Sequence, residues 1–188
     1  LHNAPNAQAG WPYVAPAPTG STSRRDWPFQ PTGDTMPTVE TTVEIARPPE
    51  VVAAAFLDPD NAVYWTADLE RFAVISEEPG RVGSVAHLHY VQNGRPYVLE
   101  DVLEEMVPNQ YFRSRVTGGG LQARVETWLR EKESHTAVKV RWSGSGTTLL
   151  MRLLLPFLRG TIARQSQKEL ETFKALVETH GAHFREVA

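Results

Sequence analysis

The chain has 188 residues, a formal net charge of −3 and no cysteine. That length allows one domain with an extension, and 41% hydrophobic residues suffice for a packed core, which excludes wholesale disorder. Without cysteine there is no disulfide, no thiolate metal site and no cysteine nucleophile, and the same absence suits a reducing, cytoplasmic setting.

A sequence pI near 6.1 argues against nucleic acid as a partner, because nucleic-acid binders present a basic face. The strongest apolar run, Leu149 to Leu158, is shorter than the ~20 residues of a membrane span and contains Arg152 and Pro156. Residues 1–10 carry neither the basic nor the apolar stretch of a secretory signal.

Proline is unevenly spread. Six of the 14 fall in the first 35 residues, where neither a helical nor a strand period exists. Residues 12–22 read as a polyproline-II or linker segment. The periodic sequence begins at Met36, so the expected organisation is an extension over residues 1–35 and a domain over residues 36–188. The extension contains Trp11-Pro12-Tyr13 and Trp27-Pro28-Phe29, and with them two of the five tryptophans. Linkers are usually poor in aromatics. The triplets therefore suggest docking on the chain's own domain or on a neighbour, against the plainer reading of an undocked upstream segment.

The domain opens with Thr38 to Ile45, which alternates Val39, Thr41, Val43 and Ile45 against polar neighbours and reads as a half-buried strand. Arg47-Pro48-Pro49 stops it, and Pro49 suits the first turn of a helix running to Leu57. Asp58-Pro59 starts a second short helix ending near Trp65. Strands follow over Leu69–Glu77, Ser84–Gln92, Tyr97–Val107, Tyr111–Thr117, Leu121–Arg130 and Thr136–Ser143. Asn93-Gly94 is a strong type I′ hairpin signal, and Gly118-Gly119-Gly120 reads as another hairpin. Such short connections predict an antiparallel meander. Ser143-Gly144-Ser145-Gly146 reads as the turn from the last strand into a long helix beginning near Thr147. That helix carries an apolar stripe through Leu150, Leu153, Leu154, Phe157, Leu158, Ile162, Ser166, Leu170, Phe173 and Val177. Pro156 should kink or divide it, and Gly181 is a reasonable C-cap.

This order of elements resembles the helix-grip fold of the START-like, or SRPBCC, superfamily, with its polyketide cyclase/dehydrase-like and lipid-transfer members. The resemblance is carried by Val43-Glu44-Ile45-Ala46-Arg47-Pro48-Pro49-Glu50-Val51-Val52, by Trp65, and by Gly80-Arg81-Val82-Gly83-Ser84. Glu104-Glu105-Met106-Val107-Pro108 and Leu170 to Glu178 complete it. It implies an α+β domain: a curved antiparallel sheet of about seven strands wrapped around the C-terminal helix, with two short helices after the first strand. It also implies an interior cavity for a hydrophobic ligand. The extension has no counterpart in the family pattern.

Alternation then sorts the strands by face. Thr136, Val138, Val140 and Trp142 turn inward, as do Ala123, Val125, Thr127 and Leu129, and Ala86, Leu88 and Tyr90. Val98, Glu100 and Val102 are expected to share that face, which would put Glu100 at the cavity. The cost of burying charge favours Arg113 and Arg115 outside; turned inward, they would make the cavity an anion site. The expected ligand-binding set is Trp65, Leu88, Tyr90, Val98, Glu100, Val125, Thr127, Val138, Val140, Trp142, Leu153 and Phe157. The plainer alternative is a filled core, since core and cavity wall share one composition. Trp65 reads equally as a cavity-mouth residue or a core anchor, and Arg152 as a residue reaching for solvent. His87-x-His89 places two imidazoles on one strand face without an evident third ligand, so no metal and no cofactor is assigned.

Three functions stay open. The first is binding of a lipid, polyketide, isoprenoid or aromatic molecule in the cavity. The second is a cyclase/aromatase or dehydratase activity, for which Glu100, Tyr90, Thr127 and Arg113 are the polar candidates although no catalytic motif is present. The third is a protein-interaction role for the extension, with homodimerisation or tail-mediated self-association as its partner forms.

Overall fold

The computed structural model describes residues 38–78 and 80–184, with the backbone alone at 149–152, 154–156 and 158. The chain divides into Leu1–Asp34 and Thr35–Ala188, and every described residue lies in the second unit. The expected extension, its Trp-Pro-aromatic triplets and the boundary at Met36 lie outside the described residues.

The elements run β1 (Thr38–Ile45), α1 (Pro49–Leu57), a 3₁₀ turn (Pro59–Asn61), α2 (Ala62–Trp65), β2 (Leu69–Val74), β3 (Val85–Gln92), β4 (Arg95–Val107), β5 (Tyr111–Gly118), β6 (Leu121–Lys132), β7 (His135–Gly146) and α3 (Leu149–His180). The seven strands form one sheet in the order β1-β7-β6-β5-β4-β3-β2. All neighbours are antiparallel. Only β1 crosses the sheet, to pair with β7. The arrangement is the helix-grip fold, with α3 held against the sheet.

Turn chemistry sets the register. Asn93 and Gly94 have φ of 52° and 74°, and Gly119 and Gly120 have 58° and 80°. Positive φ at both central residues is the type I′ requirement, whose twist matches paired strands. The first turn pairs Gln92 with Arg95 and the second pairs Gly118 with Leu121. Gly181, at φ 75°, ends α3 with its amide donating to the Val177 carbonyl at 2.9 Å.

The core lies between α1, the second half of α3 and the β1–β7–β6 side of the sheet. Ile45, Val52, Leu129, Val138, Leu170, Phe173 and Val177 are buried there, with Phe56 and Trp65 packed against them. Phe173 stacks on Phe56 with centroids 3.8 Å apart. Asn61, fully buried, ties this core to the segment that follows α3. Its amide donates to the carbonyls of Ala55 (3.0 Å) and Ala182 (2.7 Å), and its oxygen accepts from the Phe184 amide at 2.9 Å. A smaller group, Ala62, Leu69, Ala86 and Leu88, lies towards the β2 edge.

Two expectations about the last elements change. Ser143 to Gly146 continue β7 instead of turning. Pro156 does not divide α3, which is one helix of 32 residues.

Candidate functional site

The face of the sheet that carries α3 can be followed strand by strand through the register. Val39 pairs with Trp142, Val125 with Trp142, Thr127 with Val140 and with Phe112, and Leu129 with Val138. Directly opposed residues share a face. The expected inward positions Leu88, Tyr90, Val125, Thr127, Val138, Val140 and Trp142 therefore lie together on this inner face.

Val98, Glu100 and Val102 do not. The β3–β4 register pairs Tyr90 with Tyr97, Leu88 with Leu99 and Ala86 with Asp101, so Tyr97, Leu99 and Asp101 face inward. Val98 and Glu100 are exposed on the outer face, opposite His89 and His87. Periodicity alone cannot choose between these sets, because each contains two large side chains and one acid. The two-residue turn makes the choice, and one position of error inverts a whole strand.

Leu153 and Phe157 also leave the expected set. They are 62% and 85% exposed. At 3.6 residues per turn, Phe157 sits about 140° around the helix from the buried Leu170. The apolar surround of the first half of α3 hides that phase. Trp65 is a core anchor: its ring packs edge-on against Phe56 at 5.7 Å and Phe173 at 5.3 Å. Its Nε1 is buried without a hydrogen-bond partner. The Arg152 side chain lies outside the described residues.

The polar content of the inner face is distinctive. Asp101 opposes Val116 on β5 and Ala86 on β3. It is half-buried, and loss of water pushes its carboxyl up to about 6, although the Ser114 hydroxyl donates to it and pulls the other way. Tyr90 and Tyr97 stack with centroids 5.2 Å apart and 8° between planes. Burial raises both phenols, and the nearby Glu169 carboxylate adds to the shift. Glu169, on α3, accepts from the Ala67 amide and from Gln165 Nε2, each at 3.0 Å. Burial raises its carboxyl too. Sequence reading missed Asp101, Tyr97 and Glu169. The Asn-Gly turn held the signal for the first two, and only the packing of α3 reveals the third.

Trp142 shapes this surface. Its indole lies along its own strand, where a β-carbon on Gly144 would come within 2.2 Å of the ring. Gly144 in turn opposes Ala123. Small residues at both positions leave room for the indole on the inner face.

The outer face carries the charges. Arg113 and Arg115 point outward, as the burial argument expects. They pair with Glu104 and Glu105 at 2.9–3.3 Å. A bulge between Leu103 and Glu105 inserts Glu104 as an extra residue, which brings both acids within reach of the arginines. Arg141 and Lys139 pair with Glu40 at 2.6 and 3.2 Å and lie over the Trp128 ring. His89 Nε2 meets Arg71 Nη2 at 3.0 Å, and the His87 and His89 rings are 6.4 Å apart. Among the described residues, no three metal-binding side chains gather at one point. Among them, too, no helix is long and apolar enough to cross a membrane.

These features define a START-like helix-grip domain whose inner face mixes apolar side chains with a few acids and hydroxyls. Residues 36–178 match the family described as polyketide cyclase/dehydrase and lipid transport, and the chain belongs to that family. No curated protein sequence matches it. Solved structures share the fold. Protein CV1439 from Chromobacterium violaceum is 21% identical, with TM-score 0.62 over 76% of this chain and 97% of that one. A START superfamily protein from Mycobacterium smegmatis is 15% identical, with TM-score 0.59 over 71% and 94%. The di-domain ARO/CYC StfQ from the steffimycin biosynthetic pathway is 12% identical, with TM-score 0.63 over 77% of this chain and 51% of its own.

Proposed function

We propose that the domain binds a hydrophobic small molecule, such as a lipid, polyketide, isoprenoid or aromatic compound, between the inner face of the sheet and α3. The observation that carries this reading is a difference along that face. Against the second half of α3, Val138, Leu129 and Phe173 are buried in a packed core. Towards β3–β5 the inward residues Tyr90, Leu99, Asp101 and Ser114, together with Val125 and Trp142, remain half-buried beside the buried Leu88, Leu103 and Val116. A lining that is mostly apolar with a few polar groups is the usual composition of a small-molecule site.

The test is a titration with Nile red, an uncharged probe that brightens in apolar surroundings. Saturable binding at about one probe per chain, weakened by Val125→Trp, supports the reading. Fluorescence that rises without saturation, or is unmoved by Val125→Trp, refutes it.

One observation favours a second reading, a cyclase- or dehydratase-type reaction in the same place. A carboxyl titrating near neutral pH beside a hydroxyl can exchange a proton with a bound substrate. Asp101 beside Ser114 is that pair. The sequence-based candidates Glu100 and Arg113 are on the outer face, so Asp101 replaces them. Turnover of a bound poly-β-ketone abolished by Asp101→Asn, with binding retained, would establish this second reading.

A further inference from the structure

Basic residues are confined almost wholly to the outer face of the sheet, where they pair with acids of the same face. Following the register, Arg71, His87, His89, Arg113, Arg115, Arg124, Arg130, Lys132, His135, Lys139 and Arg141 all fall on the outer face. Arg95, at the exposed tip of the β3–β4 hairpin, is the one basic residue in inner-face phase. On α3, among the described side chains, Arg159, Arg164 and Lys168 are exposed and Lys174 reaches the Glu44 carbonyl. Facing the sheet's inner side the acids are Asp101 on β4 and Glu169 on α3, with Tyr90 feeling the charge of both, while Glu131 sits at the exposed end of β6. Asp68, in the loop before β2, adds its charge at the Glu169 end. The site thus offers acceptors and negative charge, without a described cation to meet an anion.

We propose that the ligand of this site is an apolar molecule whose polar end donates hydrogen bonds, a protonated amine above all, and that the site discriminates against carboxylates. The inference rests on the ligand-binding reading above and names the ligand's polar chemistry. Both carboxylates have neutral hydrogen-bond donors but no described cation, and an ammonium would add the charge-assisted bond that their loss of water leaves favourable. A ligand carboxylate in the same place would meet like charges, with no cation to neutralise it among the described residues. The apolar Val125, Leu99 and Trp142 would hold the body of the ligand, which hydrophobic burial drives into the site.

Dodecylamine, dodecanol and dodecanoate share one chain and differ only at the head. Displacement of Nile red by each is measured at about pH 8, where amine and acid are both charged. The amine is expected to displace the probe at a concentration at least about tenfold below that of dodecanoate, with the alcohol between them. Asp101→Asn should shrink the amine-to-carboxylate ratio by about tenfold and leave the alcohol within about twofold. Glu169→Gln provides an independent variant should Asp101→Asn fail to fold, and a smaller ratio is expected there too. Dodecanoate displacing as well as the amine overturns the proposal while the cavity reading stands. A ratio unchanged in whichever variants fold overturns it as well. If Nile red itself does not bind saturably, the cavity reading falls and this inference with it.

Discussion

The indole of Trp142 occupies the space that a side chain on Gly144 would need, two residues further along the same strand face. The pair explains a glycine inside a strand, where its lost backbone entropy is otherwise a cost. Gly144→Ala should displace the ring and destabilise the fold by about 1–3 kcal/mol. Urea unfolding would measure the loss. Combining the change with Trp142→Leu should return most of it, since the clash is then gone. A double variant no better than the sum of its parts would mean that the two residues are not coupled.

Asp101 makes stability depend on pH. Its folded carboxyl sits at about 6 and an unfolded aspartate at 3.8, so the folded state holds the extra proton in between. Stability from this group is therefore full below the unfolded value and is lost as pH rises through 6. The loss should be on the order of 1–3 kcal/mol. Asp101→Asn should melt higher than the parent at neutral pH and about equal to it near pH 4. A variant no more stable at neutral pH would show that the carboxylate is comfortable where it lies.

The two halves of α3 should respond differently to truncation. Phe157, exposed, should tolerate Phe157→Ser within about 0.5 kcal/mol. Phe173, wedged between Phe56 and Trp65, should lose about 3–5 kcal/mol on Phe173→Ala. Thermal melts of both variants settle the helix phase. A large loss from Phe157→Ser would turn that side chain back towards the sheet.

Asn61 answers for three backbone groups at once. Asn61→Ala would leave the Ala55 and Ala182 carbonyls and the Phe184 amide without their partner. The expected cost is about 2–4 kcal/mol by chemical denaturation, more than a surface asparagine would show.

Much of the fold was legible because local signals agreed with one another. Pro49, the Asn93-Gly94 turn and Gly181 each mark a boundary where the structure has one. The strand alternation of β1, β6 and β7 assigned their faces directly, because one side of each carries the charges. β4 has no such contrast. Tyr97, Leu99 and Asp101 look much like Val98, Glu100 and Val102, so only the hairpin register separates them. Counting back from the turn pairs Tyr90 with Tyr97, which brings Asp101 inward. The first half of α3 failed for a related reason, since a helix apolar on all sides carries no phase. Asn61 gave no periodic signal, because its three partners come from α1 and from the chain's last described turn.

The contact between Asn61 and Phe184 closes a loop of 123 residues. Such closure is entropically expensive until the intervening chain is already in place. The clasp should therefore form late, after the sheet has gathered around α3. In kinetic terms, Asn61→Ala is expected to accelerate unfolding while leaving the folding rate nearly unchanged. The segment of residues 182–184 then acts as a latch on the lifetime of the folded state, with little part in how quickly that state is reached.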